Sequence, residues 1–198
     1  MKFSSKEVKD LVYAGLLISL AFAILLAGGY EALISLDAGL SVAFIISFFT
    51  AGIGFLLHEL MHKYVAQGYG LQAEFRAFYN MLWLALLFSL FGFIFAAPGA
   101  VFIQGRITTQ RNGKISLAGP LTNIILAILF LIGVLIYGKE GILGFFFFIG
   151  LTINSLLGAF NMIPVIPFDG GKIITWNKPV YWVTVIVAVG LWIISWII

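Results

Sequence analysis

Long apolar runs, separated by short polar stretches, set the pattern of this chain. The first run extends from Leu11 to about Ala27, close to the roughly 20 residues that cross a bilayer as a helix. A second covers 42–67, and later runs cover 118–137, 142–162 and 179–198. Because these runs are unbroken rather than alternating, they predict membrane-spanning helices and not the strands of a membrane barrel.

A further apolar segment, 81–97, lies between basic flanks. Arg76 precedes it, and Arg106, Arg111 and Lys114 follow it. Since Lys and Arg mark cytoplasmic loops, the segment is expected to enter the bilayer without crossing it. By the same rule, the lysines of the first ten residues place the N-terminus in the cytoplasm.

Residues 100–117 change in character. Val101, Phe102 and Ile103 favour a strand, and Asn112-Gly113 is a strong hairpin turn signal. We therefore predict a β-hairpin over Ala100–Leu117, followed by a helix whose first turn holds Pro120. The predicted fold class is an all-α polytopic membrane protein, with about five or six transmembrane helices and a small membrane-associated β-hairpin.

Composition agrees with this pattern and narrows the function. The 198 residues are 62% hydrophobic and 10% charged, whereas about a quarter of a soluble domain is charged. Soluble enzymes, nucleic-acid-binding proteins and disordered tails are therefore excluded. The chain has no cysteine, so metal ligands must be His, Asp or Glu. We expect one integral-membrane domain over residues 1–198, without a soluble regulatory domain.

The chemistry is concentrated in the sequence His58-Glu59-Leu60-Met61-His62. Two histidines four residues apart share one face of a helix and can bind one metal ion. Zinc held this way activates water, and Glu59 would lie beside that water as general base. These are the only histidines in the chain, and ionisable groups inside a hydrophobic span are costly unless they bind something. A zinc site is therefore a better explanation than chance.

A catalytic zinc ion usually has three protein ligands. Of the carboxylates, Glu74 and Asp169 remain once those at the terminus and on the outer side are set aside. Glu74 is interpreted as a solvated interfacial charge. Asp169 follows Pro164 and Pro167, and helix breaks at membrane depth are tolerated only around a buried site or a water-filled cavity. We predict Asp169 as the third ligand; its alternative role is to cap a helix start.

Two further motifs accompany the histidine motif. Ala118-Gly119-Pro120-Leu121 opens a later helix, and Asn161-Met162-Ile163-Pro164-Val165-Ile166-Pro167-Phe168-Asp169-Gly170-Gly171 ends another. With these motifs, the chain resembles the site-2 protease family of intramembrane zinc metalloproteases. The resemblance implies one zinc ion per chain, bound by His58, His62 and Asp169, with Glu59 as the catalytic base.

The resemblance also suggests roles for two other parts of the chain. Asn161 matches a family asparagine near the site, whose amide would stabilise the developing oxyanion; the alternative is an ordinary helix C-terminal residue. The stretch Pro98–Val101 is similar to the family's membrane-associated β segment. The hairpin is predicted to receive an unwound substrate as an added strand; the alternative is a solvated connector at the lipid headgroups.

The predicted function is zinc-dependent hydrolysis of a peptide bond within or near a transmembrane segment of a membrane-protein substrate, as in regulated intramembrane proteolysis. The expected partners are that substrate, the lipid bilayer and a separate adaptor protein, with no nucleic acid. The active site is expected in the cytoplasmic half of the bilayer. The alternatives are a membrane-bound zinc peptidase of soluble termini and a metal transporter, which would be expected to repeat polar ligands along several helices.

Overall fold

The computed structural model describes residues 1–35, 38–94 and 97–198. In chain order, the elements of these ranges are α1 (Ser5–Leu26), α2 (Tyr30–Ser35), α3 (Ala38–Ser47), a π-helical turn (Phe48–Gly52), α4 (Ile53–Gly68), β1 (Gln72–Ala77), α5 (Tyr79–Ser89), β2 (Gly99–Gln104), α6 (Thr109–Tyr137), α7 (Gly141–Asn161), α8 (Asp169–Trp176) and α9 (Lys178–Ile197).

Five helical stretches of the described chain are long and apolar enough to cross a membrane. They cover 5–26, 39–68, 109–137, 141–161 and 178–197. The two strands form one small antiparallel sheet. The predicted fold class, a polytopic all-α membrane protein with a small β element, is therefore confirmed.

The apolar segment predicted at 81–97 contains only the short helix α5, which has 11 residues. At 1.5 Å per residue such a helix is about 16 Å long, roughly half of the 30 Å hydrocarbon core of a bilayer. Helix α5 is thus too short to cross alone; entry of this segment into the bilayer without a crossing stays a prediction. Residues 95 and 96, near the end of the segment, lie outside the described residues.

The predicted hairpin over Ala100–Leu117 is wrong in its second strand. Strand β2 pairs with β1, which precedes it in the sequence and is not among the predicted strands. In β1, Ala73 and Phe75 are buried while the residues between and beside them are more exposed. This alternation with period two is typical of a strand that is covered on one face.

Residues 109–137 form a helix in place of the expected second strand, so Asn112-Gly113 is helical and not a turn. The helix begins early because the Thr108 hydroxyl caps it, accepting the backbone N–H of Arg111 at 3.3 Å. The glycine serves close packing: a Cβ at residue 113 would lie 2.5 Å from Cγ of Trp176. The early start also places Pro120 inside helix α6 rather than in a first turn.

The described chain forms two compact units. The first contains 57–73 and 103–198, and the second contains 2–56 and 74–102. In the first unit, α6 packs against α7 and α8, and α7 packs against α9. The apolar core of this packing is a cluster of buried residues: Ile124, Ala127, Val134, Leu151, Ala188 and Leu191. In the second unit, α1 packs against α3, the π-helical turn and α5.

Candidate metal centre

Helix α4 places His58, Glu59 and His62 within one turn. All three are buried, and the two imidazole rings have centroids 4.7 Å apart. One ligand atom from each of the three residues lies within 4.8 Å of the others. The motif lies in the stretch 39–68, one of the five able to span a membrane.

Asp169 is brought to the histidines by the start of helix α8. Its Oδ2 atom lies 3.4 Å from Nε2 of His58 and 3.0 Å from Nε2 of His62. Its Oδ1 atom faces Nζ of Lys172 at 3.4 Å. The N-cap of α8 is Phe168, and Asp169 is the first helical residue. The alternative interpretation of Asp169 as a helix cap is therefore not what the structure shows.

Gly170 explains how α8 can begin so close to the end of α7. A Cβ at this position would lie 2.7 Å from the carbonyl oxygen of Ile163 and closer still to that of Met162. Real Cβ atoms do not approach backbone atoms so closely, so a side chain here would push the two helix ends apart. The glycine after Asp169 thus helps to set the position of the carboxylate.

The second ring nitrogen of each histidine faces an oxygen. Nδ1 of His62 lies 2.8 Å from the backbone oxygen of Ile115, and Nδ1 of His58 lies 2.6 Å from Oδ1 of Asn123. A backbone carbonyl can only accept, so His62 donates from Nδ1 when neutral and keeps its lone pair on Nε2. Such outer hydrogen bonds are the usual way in which proteins orient metal-binding histidines.

The residues present fit a zinc ion. Two imidazole nitrogens and a carboxylate oxygen form a typical donor set for catalytic zinc, and here they point towards one another. Burial raises the pKa of Asp169, but positive charge on the neighbouring His62 and His58 lowers it by more, and the net pKa lies below the usual range. The three groups thus favour positive charge between them, which protons or a metal ion can supply.

The space between the two Nε2 atoms depends on Gly119 of helix α6. A Cβ at this position would lie 2.5 Å from Nε2 of His58 and closer still to Nε2 of His62. Any side chain would therefore displace the imidazoles. The glycine keeps the face of the site towards α6 free.

Comparison with known proteins agrees with this chemistry. The chain is 42% identical over 186 residues to "Putative zinc metalloprotease MJ0611" of Methanocaldococcus jannaschii, covering 93% of this chain and 91% of that protein. It belongs to the site-2 protease family. No protein-family model matches the chain, and no solved structure matches it.

Other proteins named as zinc metalloproteases are matched over part of their length. "Zinc metalloprotease MJ0392" of the same organism is 32% identical over 135 residues, which are 68% of this chain and 34% of that protein. "Putative zinc metalloprotease YwhC" of Bacillus subtilis is 33% identical over 140 residues, 62% of this chain and 64% of that protein. The chain thus spans about a third of one relative and less than two thirds of the other.

Two other residues that the sequence suggested for the site, Glu74 and Asn161, bond to groups outside the histidine cluster. Glu74 pairs with Arg76, at 2.5 Å between Oε2 and Nη2, and accepts a hydrogen bond from Ser4. Asn161 ends helix α7, and its amide donates to the backbone oxygen of Leu157 at 2.9 Å. This is the arrangement of an ordinary helix-terminal residue, and a role of Asn161 in stabilising an oxyanion stays a prediction.

The sequence analysis missed several neighbours of the predicted zinc ligands. Asn123 and Asn154 are fully buried in helices α6 and α7, and Asn123 contacts His58. A signal for them was present: each is an amide inside an otherwise apolar run, where an unpaired polar group is costly. Gly119 belongs to a motif that carries the family resemblance, but its contact with the imidazoles needs the fold.

Proposed function

We propose that this membrane zinc metalloprotease hydrolyses a peptide bond within or near a transmembrane segment of a membrane-protein substrate. The observation that carries the proposal is the convergence of His58 Nε2, His62 Nε2 and Asp169 Oδ2 beside a buried glutamate. The motif lies within a helix apolar enough to span a bilayer. A protease site at that depth is best placed to act on membrane-embedded peptides.

In this proposal, His58, His62 and Asp169 hold one zinc ion. When bound there, zinc would lower the pKa of a water molecule and polarise the peptide carbonyl. Glu59 accepts the proton of the attacking water and then delivers it to the leaving amine. Its position directly after His58, inside the same buried cluster, supports this role.

The substrate has to unwind locally before it can be cut. A transmembrane helix keeps its carbonyl groups in internal hydrogen bonds, so an intact helix offers no exposed peptide to attack. Gly or Pro near the cleaved bond would lower the free energy of unwinding. An unwound segment then needs new partners for its backbone N–H and C=O groups.

Strand β2 is a suitable partner for such a segment. The outward backbone N–H of Phe75 in β1 already donates to Oε1 of Glu7 at 2.8 Å, so that edge of the sheet is covered by a side chain of α1. Beside β2, the described ranges place no strand other than β1. An open edge can pair with an added strand. We therefore place the substrate on β2 and not on the hairpin expected from the sequence.

The proposed membrane context has further parts. A cytoplasmic N-terminus and a site in the cytoplasmic half of the bilayer rest on the distribution of Lys and Arg. Control of substrate choice by a separate adaptor protein is also part of the proposal. These parts stay predictions.

The central test is cleavage of a model transmembrane substrate by the full chain in detergent, together with its zinc content. Glu59→Gln should keep the zinc but lower the rate by about 10²- to 10⁴-fold, because the amide cannot accept the proton. A soluble peptide with the same cleavage sequence serves as the control substrate. Cleavage of the soluble peptide alone would favour a peptidase of soluble termini, and full activity of Glu59→Gln would disprove the role of that residue.

The docking edge is tested by proline at two neighbouring positions of β2, Val101→Pro and Phe102→Pro. Backbone N–H groups alternate in direction along a strand, so one proline removes a donor towards β1 and the other removes an outward donor. The variant whose proline removes the outward donor should fold and bind zinc but cut the transmembrane substrate more slowly. Phe102→Ala controls for loss of the exposed ring. Normal cleavage by every proline variant that folds and binds zinc would argue against this docking edge.

A further inference from the structure

A line of buried side-chain amides runs from the metal centre into helix α7. Oδ1 of Asn123 lies 2.6 Å from Nδ1 of His58, and Nδ2 of Asn123 donates to Oδ1 of Asn154 at 3.0 Å. Nδ2 of Asn154 donates in turn to the backbone oxygen of Gly150, also at 3.0 Å. Both asparagines are fully buried. Buried amides in an apolar interior are costly unless their bonds have a definite arrangement.

The direction of this chain of bonds is fixed at its far end. The carbonyl of Gly150 can only accept, so the NH₂ group of Asn154 must face it and the amide oxygen must face Asn123. The NH₂ group of Asn123 then faces Asn154, and its oxygen faces His58. An amide oxygen can only accept, so neutral His58 carries its proton on Nδ1. The lone pair of the imidazole is left on Nε2, the atom nearest Asp169.

We propose that Asn154 is a positioning residue that acts through Asn123 to hold His58 in the tautomer able to bind metal. The inference rests on the proposed function, in that it assumes a metal ion at His58. For His62 one backbone carbonyl, that of Ile115, does the same task directly. For His58 the task needs three bonds, because the nearest group is a side-chain amide that has two possible orientations.

The wrong orientation of Asn123 would block metal binding. If its NH₂ group faced His58, Nδ1 would have to accept and the ring proton would move to Nε2, where the metal should bind. The contact with Asn154 disfavours that state, because the rotated amide would bring two oxygen atoms together in a buried, water-free place. Loss of Asn154 removes this restraint on the orientation of Asn123.

The test is metal affinity of the full chain in detergent, measured with Co²⁺ as the probe and with Zn²⁺ by competition. Outer partners of metal ligands typically change affinity by about 10- to 100-fold, so Asn123→Leu should fall in that range. Asn154→Leu acts one bond further away and should weaken binding about three- to tenfold. Thr152→Val is the matched control on α7, because the Thr152 hydroxyl donates to its own helix at Phe148. It should bind as the wild type does.

A second comparison separates positioning from general packing. In an Asn123→Leu background no amide remains to be oriented towards His58. Adding Asn154→Leu should then cause no further loss of affinity. A purely structural role would lower the affinity equally in every background.

The outcomes distinguish this inference from the proposed function. Normal metal binding by Asn154→Leu, or an equal decrease in the wild-type and Asn123-substituted backgrounds, would overturn the inference alone. A wild-type chain that binds neither Co²⁺ nor Zn²⁺ would overturn the proposed zinc site, and the inference with it. A decrease confined to chains that keep the Asn123 amide supports the positioning role.

Discussion

Buried carboxylates occur in both units of this protein, but their surroundings differ. In the unit that contains α1 and β1, Glu7 accepts the backbone N–H of Phe75 at 2.8 Å, and Asp10 accepts the hydroxyl of Tyr79 at 2.7 Å. The hydrogen bond to Asp10 raises the pKa of Tyr79 to about 12, as expected for a hydroxyl that donates to a carboxylate. Each carboxylate here faces a donor that the protein itself supplies.

In the unit that contains α8, Oδ1 of Asp169 pairs with Lys172, but its Oδ2 faces two imidazole nitrogens. His62 keeps a lone pair on Nε2 because its Nδ1 is held by a carbonyl, and His58 is arranged in the same way through Asn123. Three atoms that can accept therefore lie together: Nε2 of His58, Nε2 of His62 and Oδ2 of Asp169. In the other unit, each acceptor faces a donor. Three buried acceptors are stable side by side only with a cation or protons between them.

The comparison shows that burial of a carboxylate does not by itself identify a metal site. Both regions bury acidic groups almost completely, and in a sequence this apolar either group would be a candidate functional site. What separates them is that Oδ2 of Asp169 faces two imidazole nitrogens that can accept, although its Oδ1 pairs with Lys172, whereas Glu7 and Asp10 face donors. The proposed zinc site follows from this difference, and substitutions that alter one region should leave the other unchanged.

The largest effect is expected for Asp169→Ala. Loss of one of the three proposed ligands should lower zinc affinity by more than about 100-fold, beyond the range typical of outer partners, and should lower activity with it. Glu74→Ala is the control, because Glu74 pairs with Arg76 and Ser4, and it should change neither. Metal content after dialysis and a Co²⁺ titration measure both variants. The reverse result would make Glu74 the ligand.

A smaller effect is expected for Gly119→Ala. The added Cβ would press on both imidazoles, and overpacking typically costs about 1–3 kcal/mol, which corresponds to roughly 5- to 150-fold in affinity. Gly190→Ala on α9 is the matched control, because a Cβ there would meet no atom within 4 Å. Metal titration in detergent compares the two variants. Unchanged affinity in Gly119→Ala would mean that the imidazoles can move aside without loss.

The long apolar helices were predictable because membrane-spanning segments depend mainly on length and hydrophobicity, which are local properties of the sequence. The two strands were not, because strand pairing is a non-local choice. Asn112-Gly113 carries a turn signal, yet the cap at Thr108 and the packing of Gly113 against Trp176 favour a helix. The partner β1 was missed although its alternation was visible in Ala73 and Phe75.

For the site, the histidine motif was recognisable because helical spacing alone places His58 and His62 on one face. The sequence could also rank Asp169 above Glu74, since prolines mark a helix break near it. The amides of Asn123 and Asn154 could not be assigned to His58, because they come from helices α6 and α7 and their contact depends on packing. Which atom donates and which accepts in these bonds can be assigned only when the partners of both asparagines are known.

The smallest effect is expected for Tyr79→Phe, which removes the donor to Asp10 and leaves Arg76 at 4.0 Å as its remaining charged neighbour. Loss of one such bond should lower the free energy of unfolding by about 1 kcal/mol. Metal affinity should not change, because Asp10 belongs to the region in which each carboxylate faces a donor.

Tyr13→Phe is the control, since the exposed Tyr13 contacts the Tyr79 ring edge-on and its hydroxyl has no hydrogen bond within the described ranges. Denaturant titration followed by circular dichroism, with a parallel Co²⁺ titration, measures both quantities. A loss of metal affinity in Tyr79→Phe would show that the two regions are coupled and that the distinction drawn between them is wrong.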